Sequence, residues 1–200
     1  MSTGKILIEE IGQVDAVTTP LFNHAELHIW ILDLARFPGD AINSLDAIEQ
    51  QRFHQISHKQ QQQRFLASRY WLRQILCDYL NTSMQELKFL TSEKGKPSVH
   101  HPDTQLEFNL THTGDHAALA IAASSQVGID LEMTRSIATV TRIAGKVLTD
   151  DEIRQLEQLP AEQQVNYFFT CWTKMEARQK CMGLGIFNRR ISDEQVTTRT

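Results

Sequence analysis

Two absences in the sequence exclude broad classes of protein. Basic residues are not in excess, because 20 Lys and Arg stand against 24 Asp and Glu, and the net charge of −4 provides no general attraction to nucleic acid or to an anionic membrane. No apolar run approaches the roughly 18 residues that predict a transmembrane helix, and the first residues do not form a secretory signal. We therefore expect no nucleic-acid partner, no membrane partner and a cytoplasmic location.

Cysteine is also scarce. Cys77, Cys171 and Cys181 are odd in number and none belongs to a C-x-x-C motif, so the sequence supports neither a disulfide framework nor a zinc cluster. His54 and His58 have the i, i+4 spacing of helical zinc ligands, but no Glu follows His54 as the H-E-x-x-H motif requires. The cysteines are therefore interpreted as thiols of the core.

The first half of the chain contains a predicted strand and a predicted helix. With 41% hydrophobic and 22% charged residues, the 200-residue chain has the composition of a globular protein with a real core. "LHIWILDL", residues 27–34, is rich in β-favouring residues, and residues 65–80 carry Phe65, Leu72, Leu76 and Tyr79 at helical spacing. Residues 92–105 concentrate Gly, Pro and polar side chains, which places a boundary near residue 105.

The second half repeats this composition of elements. "FNLTHTGDHAALAIAA" and "VGIDLE" indicate two strands joined by a short polar connection. Thr149 and Glu152 form a capping-box pattern at the start of one helix, and residues 162–185 predict a longer helix that ends at Gly183 or Gly185. We therefore predict an α+β fold of two similar halves related by pseudo-twofold symmetry, residues 1–105 and 106–200.

Two acids lie one residue apart within "VGIDLE". Asp130 and Glu132 alternate with Ile129 and Leu131, so in a strand both carboxylates would share one face. A solvated sheet edge is one interpretation of this pattern. A hard cation is the other, because Mg²⁺ binds one or two protein carboxylates and completes its shell with water and substrate phosphates.

A second group of polar residues follows the spacing of a helix. Trp172, Glu176 and Lys180 are four residues apart, so they lie along one face of the predicted helix. Glu176 and Lys180 could form an ordinary surface ion pair. Because the bulky Trp172 begins this face beside the apolar stripe, the acid and the base could instead be partly buried, where they would require partners.

These segments together resemble the 4′-phosphopantetheinyl transferases, and specifically the surfactin-synthetase-activating type. "FNLTHT" is similar to that family's F-N-[IL]-[ST]-H-[ST] motif, "GIDLE" to its G-[IV]-D-[IL]-E motif, and "WTKMEARQKCMGLG" to its W-x-x-K-E-[AS]-x-x-K-x-x-G-x-G helix. "KGKPSV" and "RFLASRYWLR" match further stretches, so the resemblance covers residues 27 to about 190 in the family's order.

The resemblance implies a reaction of the holo-acyl-carrier-protein synthase type. In this family, a serine hydroxyl of an apo acyl or peptidyl carrier protein attacks the pyrophosphate of coenzyme A, and adenosine 3′,5′-bisphosphate is released. The resemblance assigns a Mg²⁺ site to Asp130, Glu132 and Glu176. Negative charge accumulates on the phosphates during displacement, and a cation held by carboxylates can neutralise it.

The resemblance also implies roles for other side chains. Glu176 is a candidate general base, and Glu152 is its rival, although the capping box gives Glu152 a purely structural alternative. Lys96, His112 and Lys180 match positions that contact the phosphates of coenzyme A. Further members of the predicted coenzyme A site are Thr111, where the family usually has Ser, and Arg52, for which a solvated surface base remains the alternative.

The sequence departs from the family pattern in the last helix. Met175 stands where the family usually has a Lys, and Lys174 is one position earlier, about 100° around the helix. The chain also ends at Thr200, where relatives commonly continue with further strand. These departures leave open an inactive relative that binds coenzyme A or a carrier protein. We expect a monomer, because relatives of this type carry both halves in one chain.

Overall fold

The computed structural model describes residues 5–11, 26–100, 105–137 and 140–183. In chain order, these residues form β1 Lys5–Ile11, β2 Glu26–Asp33, α1 Ala47–Gln55, α2 Lys59–Leu80, β3 Lys88–Thr91, β4 Pro97–His100, β5 Leu106–Thr113, β6 His116–Ala123, α3 Val140–Val147, α4 Asp150–Gln158 and α5 Ala161–Cys181. A short 3-10 helix, Ala41–Ser44, precedes α1. The predicted mixture of helices and strands is confirmed.

The principal sheet has the strand order β1-β2-β6-β5. β1 is parallel to β2, whereas the β2–β6 and β5–β6 pairs are antiparallel. β3 and β4 form a separate antiparallel hairpin, and β4 lies beside β5. The sheet thus combines strands from both sides of residue 105, and the division into two halves related by pseudo-twofold symmetry remains a prediction.

Different parts of the chain pack against the two faces of this sheet. Because side chains alternate along a strand, β2 directs His28, Trp30 and Leu32 to one face, where they are buried in the main core with α2. The opposite face carries Ala120 and Ala122 of β6, which pack against Val127. These small side chains allow the segment that follows β6 to lie close to the sheet.

A buried arginine fastens α1 to α2 and to the loop before β3. Arg73 is 1% exposed, and its guanidinium contacts the carboxylates of Asp46 and Glu49 at 2.8 and 2.7 Å. It also donates to the carbonyl oxygens of Met84 and Leu87 at 3.0 Å each. These partners compensate a buried charge that would be strongly destabilising without them.

Helices α3, α4 and α5 form a second core. Its buried members are Val140, Ala144, Leu148, Leu156, Phe168, Phe169 and Cys171. The predicted capping box is confirmed, because Thr149 and Glu152 bond reciprocally at the start of α4. The long helix ends at Cys181, and Gly183 has a φ of +61°, which agrees with the predicted stop. Gly185 lies outside the described residues.

The sequence prediction was wrong about the segment "VGIDLE". The preceding stretch forms a hairpin of two strands, β5 and β6, with Gly114 at a φ of +56° in its turn, whereas residues 126–137 are neither strand nor helix. In the described part of the chain, side chains of β5, α5 and the β3–β4 turn hold this segment, so its alternating pattern does not reflect a strand ladder.

No helix in the described residues combines the length and the apolar character needed to cross a membrane.

Candidate active site

The acidic segment, residues 126–132, lies between β5 and α5. From β5, the side-chain oxygen of Asn109 accepts a hydrogen bond from the Ile129 amide at 2.9 Å. On the helix side, a Cβ at Gly128 would lie 2.1 Å from the Ala177 carbonyl oxygen and 2.4 Å from the Cys181 amide nitrogen. Only glycine therefore permits this approach, which brings the main chain of the segment directly onto α5.

Asp130, Lys180 and Thr111 meet at the centre of the site. The Lys180 ammonium lies 2.6 Å from Asp130 Oδ1 and 3.1 Å from Thr111 Oγ1, and that hydroxyl donates to Asp130 Oδ1 at 3.2 Å. The Asp130 side chain is 6% exposed and that of Lys180 is 28% exposed. Asp130 Oδ2 is buried and has no hydrogen-bond partner among the described residues. The site thus combines a buried carboxylate, one of its oxygens unpartnered, with a partly exposed cation.

Glu176 is buried one helical turn before Lys180. Its pKa is raised above the usual range, first by burial and then by the negative charge of Asp130. Lys180 acts in the opposite direction, and Glu132 raises the pKa further. The surroundings of Glu176 therefore favour its protonated form, as is expected where several carboxylates share one site.

Glu132 marks the outer end of the acidic segment. It is exposed, and its Oε1 accepts a hydrogen bond from the Trp172 indole at 3.1 Å. Besides the contact at Gly128, two side chains of the segment contact α5, Glu132 at Trp172 and Asp130 at Lys180. The helical spacing that singled out Trp172, Glu176 and Lys180 corresponds to one side of this contact.

The acids at the centre have the chemistry of a hard-cation site. Among the described residues, no group of three or more His, Cys, Asp or Glu side chains could hold a metal ion unaided. Mg²⁺ does not need such a group, because one or two carboxylates suffice when water and phosphate complete the shell. The buried, unpartnered Oδ2 of Asp130 and the raised pKa of Glu176 fit this requirement.

A cluster of cations lies around the end of β5. The pKa of His112 is lowered, first by desolvation and then by the charges of Lys180, Arg64 and Arg69, although the residue remains exposed. Arg64 and Arg69 lie on α2, and the Arg64 Nε is 2.7 Å from an oxygen of Asp115 in the β5–β6 turn. The end of β5 is therefore a place where an anion can meet several positive charges.

Arg52 lies at the outer side of this cluster. Its guanidinium and that of Arg69 are 5.6 and 5.7 Å from the centroid of the Phe65 ring. Burial lowers the pKa of Arg69, Glu49 opposes this effect, and the charge of Arg52 lowers it further. The contact joins α1 to α2, while a phosphate contact of Arg52 remains a prediction.

Lys96 lies at the opposite end of the acidic segment, beside a groove. Its ammonium donates to the carbonyl oxygens of Val127 and Cys181 at 3.1 Å each. A cavity of about 400 Å³ is lined by Ser92, Glu93, Lys94, Lys96, Pro97, Glu107, Gln126, Met182 and Gly183. An adjoining cavity of about 170 Å³ also borders Lys96 and extends to Lys180. The two cavities lead from the β3–β4 turn to the central ion pair.

Glu152 has its contacts on another side of α5. Its carboxylate accepts from the amide and the hydroxyl of Thr149 at 2.9 Å each. It also lies against Cys171, whose pKa is raised by burial and by the charge of Glu152. Cys171 is about 140° around the helix from Glu176, because consecutive helical residues are separated by about 100°. The capping role is thus observed, and a catalytic role for Glu152 remains a prediction.

Sequence reasoning missed Arg64, Arg69 and Asn109. The two arginines lie in the family-like stretch "RFLASRYWLR", where they read as polar positions of an amphipathic helix, and their proximity to His112 depends on how α2 packs on the sheet. Asn109 interrupts an apolar strand, and a buried amide of this kind must find a partner. That signal could have identified Asn109 as a support for a neighbouring backbone.

Comparison with known proteins gives a consistent assignment. Residues 38–125 match the family described as 4′-phosphopantetheinyl transferase, N-terminal, and residues 126–198 match the 4′-phosphopantetheinyl transferase superfamily. The chain is 32% identical to the 4′-phosphopantetheinyl transferase HetI of Nostoc sp. over 80% of its length, which covers 70% of that relative. It is 35% identical to the 4′-phosphopantetheinyl transferase psf-1 of Bacillus pumilus over 64% of its length.

The similarity also extends to a human protein. The L-aminoadipate-semialdehyde dehydrogenase-phosphopantetheinyl transferase of Homo sapiens is 27% identical over 73% of this chain. The matches cover 56% of psf-1 and 50% of the human protein, so the chain spans little more than half the length of these relatives. The family models and the similarity to HetI agree in their assignment. The chain belongs to the 4′-phosphopantetheinyl transferase superfamily.

Proposed function

We propose that this protein transfers the 4′-phosphopantetheine arm of coenzyme A to a serine of an apo carrier protein and releases adenosine 3′,5′-bisphosphate. The observation that carries the proposal is the contact of Asp130, Lys180 and Thr111, with Glu176 buried beside it. Carboxylates that suit a cation thus lie next to the Lys180 ammonium, which suits a phosphate. Displacement at a pyrophosphate requires both kinds of charge.

The cationic cluster is the proposed site for the phosphates. Coenzyme A carries a pyrophosphate and a 3′-phosphate, and charged hydrogen bonds to such groups are among the strongest that proteins make. Lys180, His112 and Thr111 are the proposed pyrophosphate contacts. Arg52, together with Arg64 and Arg69, is proposed to contact the 3′-phosphate. The groove that leads to Lys180 would accommodate part of the remaining ligand.

Asp130, Glu132 and Glu176 are the residues that would hold Mg²⁺. When bound, this ion would neutralise the charge that develops on the bridging phosphates. The chain's own contribution is to keep these carboxylates in place. Asn109 and Gly128 fix the main chain of the acidic segment, and Trp172 orients Glu132.

The serine of the carrier must lose its proton as its oxygen forms the new bond to phosphorus. Glu176 is the proposed general base, because its raised pKa brings it closer to the value at which a carboxylate accepts a proton effectively. Its position beside Asp130 also places it near the proposed phosphate site. Glu152 is the less favoured candidate, since the capping box at the start of α4 already engages its carboxylate.

Several finer features belong to the same proposal. We place the protein in the surfactin-synthetase-activating type, with the holo-acyl-carrier-protein synthase reaction, two halves at residues 1–105 and 106–200, and a monomeric state. Its carrier would be an acyl or peptidyl carrier protein. The net charge of −4 supports the expectation that nucleic acid and membranes are not partners, and a cytoplasmic location is also proposed.

Intact-mass analysis of the carrier tests the proposal. The protein is incubated with coenzyme A, Mg²⁺ and either an apo acyl or an apo peptidyl carrier protein, and a mixture without the protein serves as the control. We expect at least one carrier to gain the mass of one phosphopantetheine arm. Thermal stabilisation by coenzyme A without any gain in carrier mass would instead indicate a binding protein that does not catalyse transfer.

A further inference from the structure

Lys96 joins three separate parts of the chain through one ammonium group. The residue lies at the end of the turn between β3 and β4, and its Nζ donates to the backbone oxygen of Val127 and to that of Cys181, at 3.1 Å each. Val127 stands three residues before Asp130, and Cys181 directly follows Lys180. The ammonium therefore connects the acidic segment with the end of α5.

The contact with Cys181 has a clear electrostatic basis. Cys181 is the last residue of α5, and the final carbonyl oxygens of a helix have no partner within the helix. A cation is favourable there, because these oxygens form the negative end of the helix dipole. Lys96, which lies outside the helix, satisfies one of them. Together with the bond to Val127, this occupies two of its three N–H donors.

The position of this contact matters for the site. Gly128, the residue after Val127, rests directly on the Ala177 carbonyl and the Cys181 amide, so the segment and the helix touch here. Lys96 holds both sides of the same contact. A loss of this ammonium would allow the acidic segment to separate from α5, and the relative positions of Asp130 and Lys180 would become less defined.

We infer that Lys96 is a positioning residue that holds the acidic segment against the end of α5, and that it is not primarily a ligand of the coenzyme A phosphates. For catalysis the inference rests on the proposed transferase function. It differs from the role that the family resemblance implies, in which Lys96 contacts a phosphate directly. The two roles make opposite predictions for the steady-state constants of a variant.

Lys96→Met tests the inference, because the variant keeps an unbranched side chain and removes the three N–H donors. Lys88→Met is the matched control, since Lys88 is an exposed lysine on β3 of the same hairpin and lines neither cavity. Hydrogen exchange is measured at residues 127–131 and 178–183, with the buried part of α2 as the internal reference. Transfer is measured over a range of coenzyme A concentrations.

We expect faster exchange in both regions of Lys96→Met and unchanged exchange in α2. The kcat should fall by about 10- to 100-fold, as slight misplacement of reacting groups can cause, while the KM for coenzyme A stays within about twofold. Lys96→Arg should restore most of the kcat, because a guanidinium can also donate to two carbonyl oxygens. Lys88→Met should match the wild type in exchange and in kcat.

Unchanged exchange in Lys96→Met would overturn the inference, and so would faster exchange with an unchanged kcat. A higher KM with normal exchange and normal kcat would identify Lys96 as a phosphate ligand. If the wild type itself transfers nothing, the proposed function fails, and the exchange experiment alone then decides whether Lys96 holds the segment on the helix.

Discussion

Glu176 is a buried acid whose surroundings oppose its ionisation. Burial and the charge of Asp130 raise its pKa above the ordinary value of about 4.3. When the pKa of a carboxyl is higher in the folded than in the unfolded state, its contribution to stability is fully present at a pH below its unfolded-state pKa. That contribution is lost as the pH rises through the folded value, because the native state then gives up a proton that it retained.

Glu176→Gln should therefore raise the melting temperature at pH 7. The gain should diminish as the pH falls to about 4, where the carboxyl of the unfolded wild type also becomes protonated. Thermal melts of the two proteins across this pH range measure the difference. Glu157→Gln is the control, because Glu157 is exposed on α4. A pH-independent difference, or a less stable Glu176→Gln protein at pH 7, would contradict the described environment of Glu176.

Met175 is the residue at which the sequence departs most clearly from the family pattern. It is partly buried beside Glu176, whereas Lys174 is exposed. Met175→Lys should lower the KM for coenzyme A by up to about tenfold, if one charge-assisted hydrogen bond of roughly 1.5 kcal/mol is gained. The KM is measured with the carrier saturating. If neither Met175→Lys nor Lys174→Ala changes it, this part of α5 does not face the ligand.

At the scale of elements, the site depends on direct contact between the acidic segment and α5. Gly128→Ala would place a methyl group 2.1 Å from the Ala177 carbonyl oxygen, and a backbone atom cannot move aside as a side chain can. We expect a less stable protein and a loss of transfer greater than the loss of folded protein explains. Circular dichroism and the transfer assay measure the two effects.

Gly145→Ala is the matched control for this substitution. Gly145 is exposed within α3, and a Cβ there would have no atom within 4 Å. Replacing a helical glycine by alanine should stabilise the protein by about 0.5–1 kcal/mol and leave transfer unchanged. Equal stability and activity of Gly128→Ala and Gly145→Ala would mean that the segment does not rest on α5.

Elements formed by local interactions could be predicted from the sequence, whereas a segment held by distant side chains could not. β2, α2, α5 and the α4 capping box could be predicted, since local periodicity and capping chemistry determine them. The acidic segment could not, because "VGIDLE" has the alternation of a strand but is held by the side chains of Asn109, Thr111 and Lys96. Contacts of this kind depend on the tertiary arrangement of distant residues.

For the candidate site as well, the sequence alone identified only some of the residues that lie together. Family motifs identified Asp130, Lys180 and Thr111, and the structure brings these three together. The arginines of α2 could not be assigned, because their proximity to His112 is decided by the packing of a helix on a sheet. Short motifs therefore singled out three side chains that lie together, while their roles in a site remain predictions and the neighbouring arginines required the fold.

At the scale of the whole molecule, the distribution of charge matters more than its sum. The net charge of −4 predicts no general attraction to nucleic acid or to an anionic membrane, yet Lys180, Arg64 and Arg69 act together on His112 at one end of the sheet. The acids Asp130 and Glu176 lie next to this cluster. A cationic region and an acidic region therefore lie side by side. This arrangement suits a ligand whose phosphates meet the cations and whose bound metal ion meets the acids.

In the proposed function, Asp130 and its neighbours serve a divalent cation during transfer from coenzyme A. The most direct test is the rate of carrier modification, followed by intact mass, as Mg²⁺ is titrated into the wild type, Asp130→Asn and Glu152→Gln. We predict that the wild type and Glu152→Gln saturate with Mg²⁺ and stop in excess chelator, while folded Asp130→Asn is slower by about 100-fold or more. Undiminished wild-type transfer in excess chelator, or wild-type rates from Asp130→Asn, would mean that Asp130 does not serve a cation in the reaction.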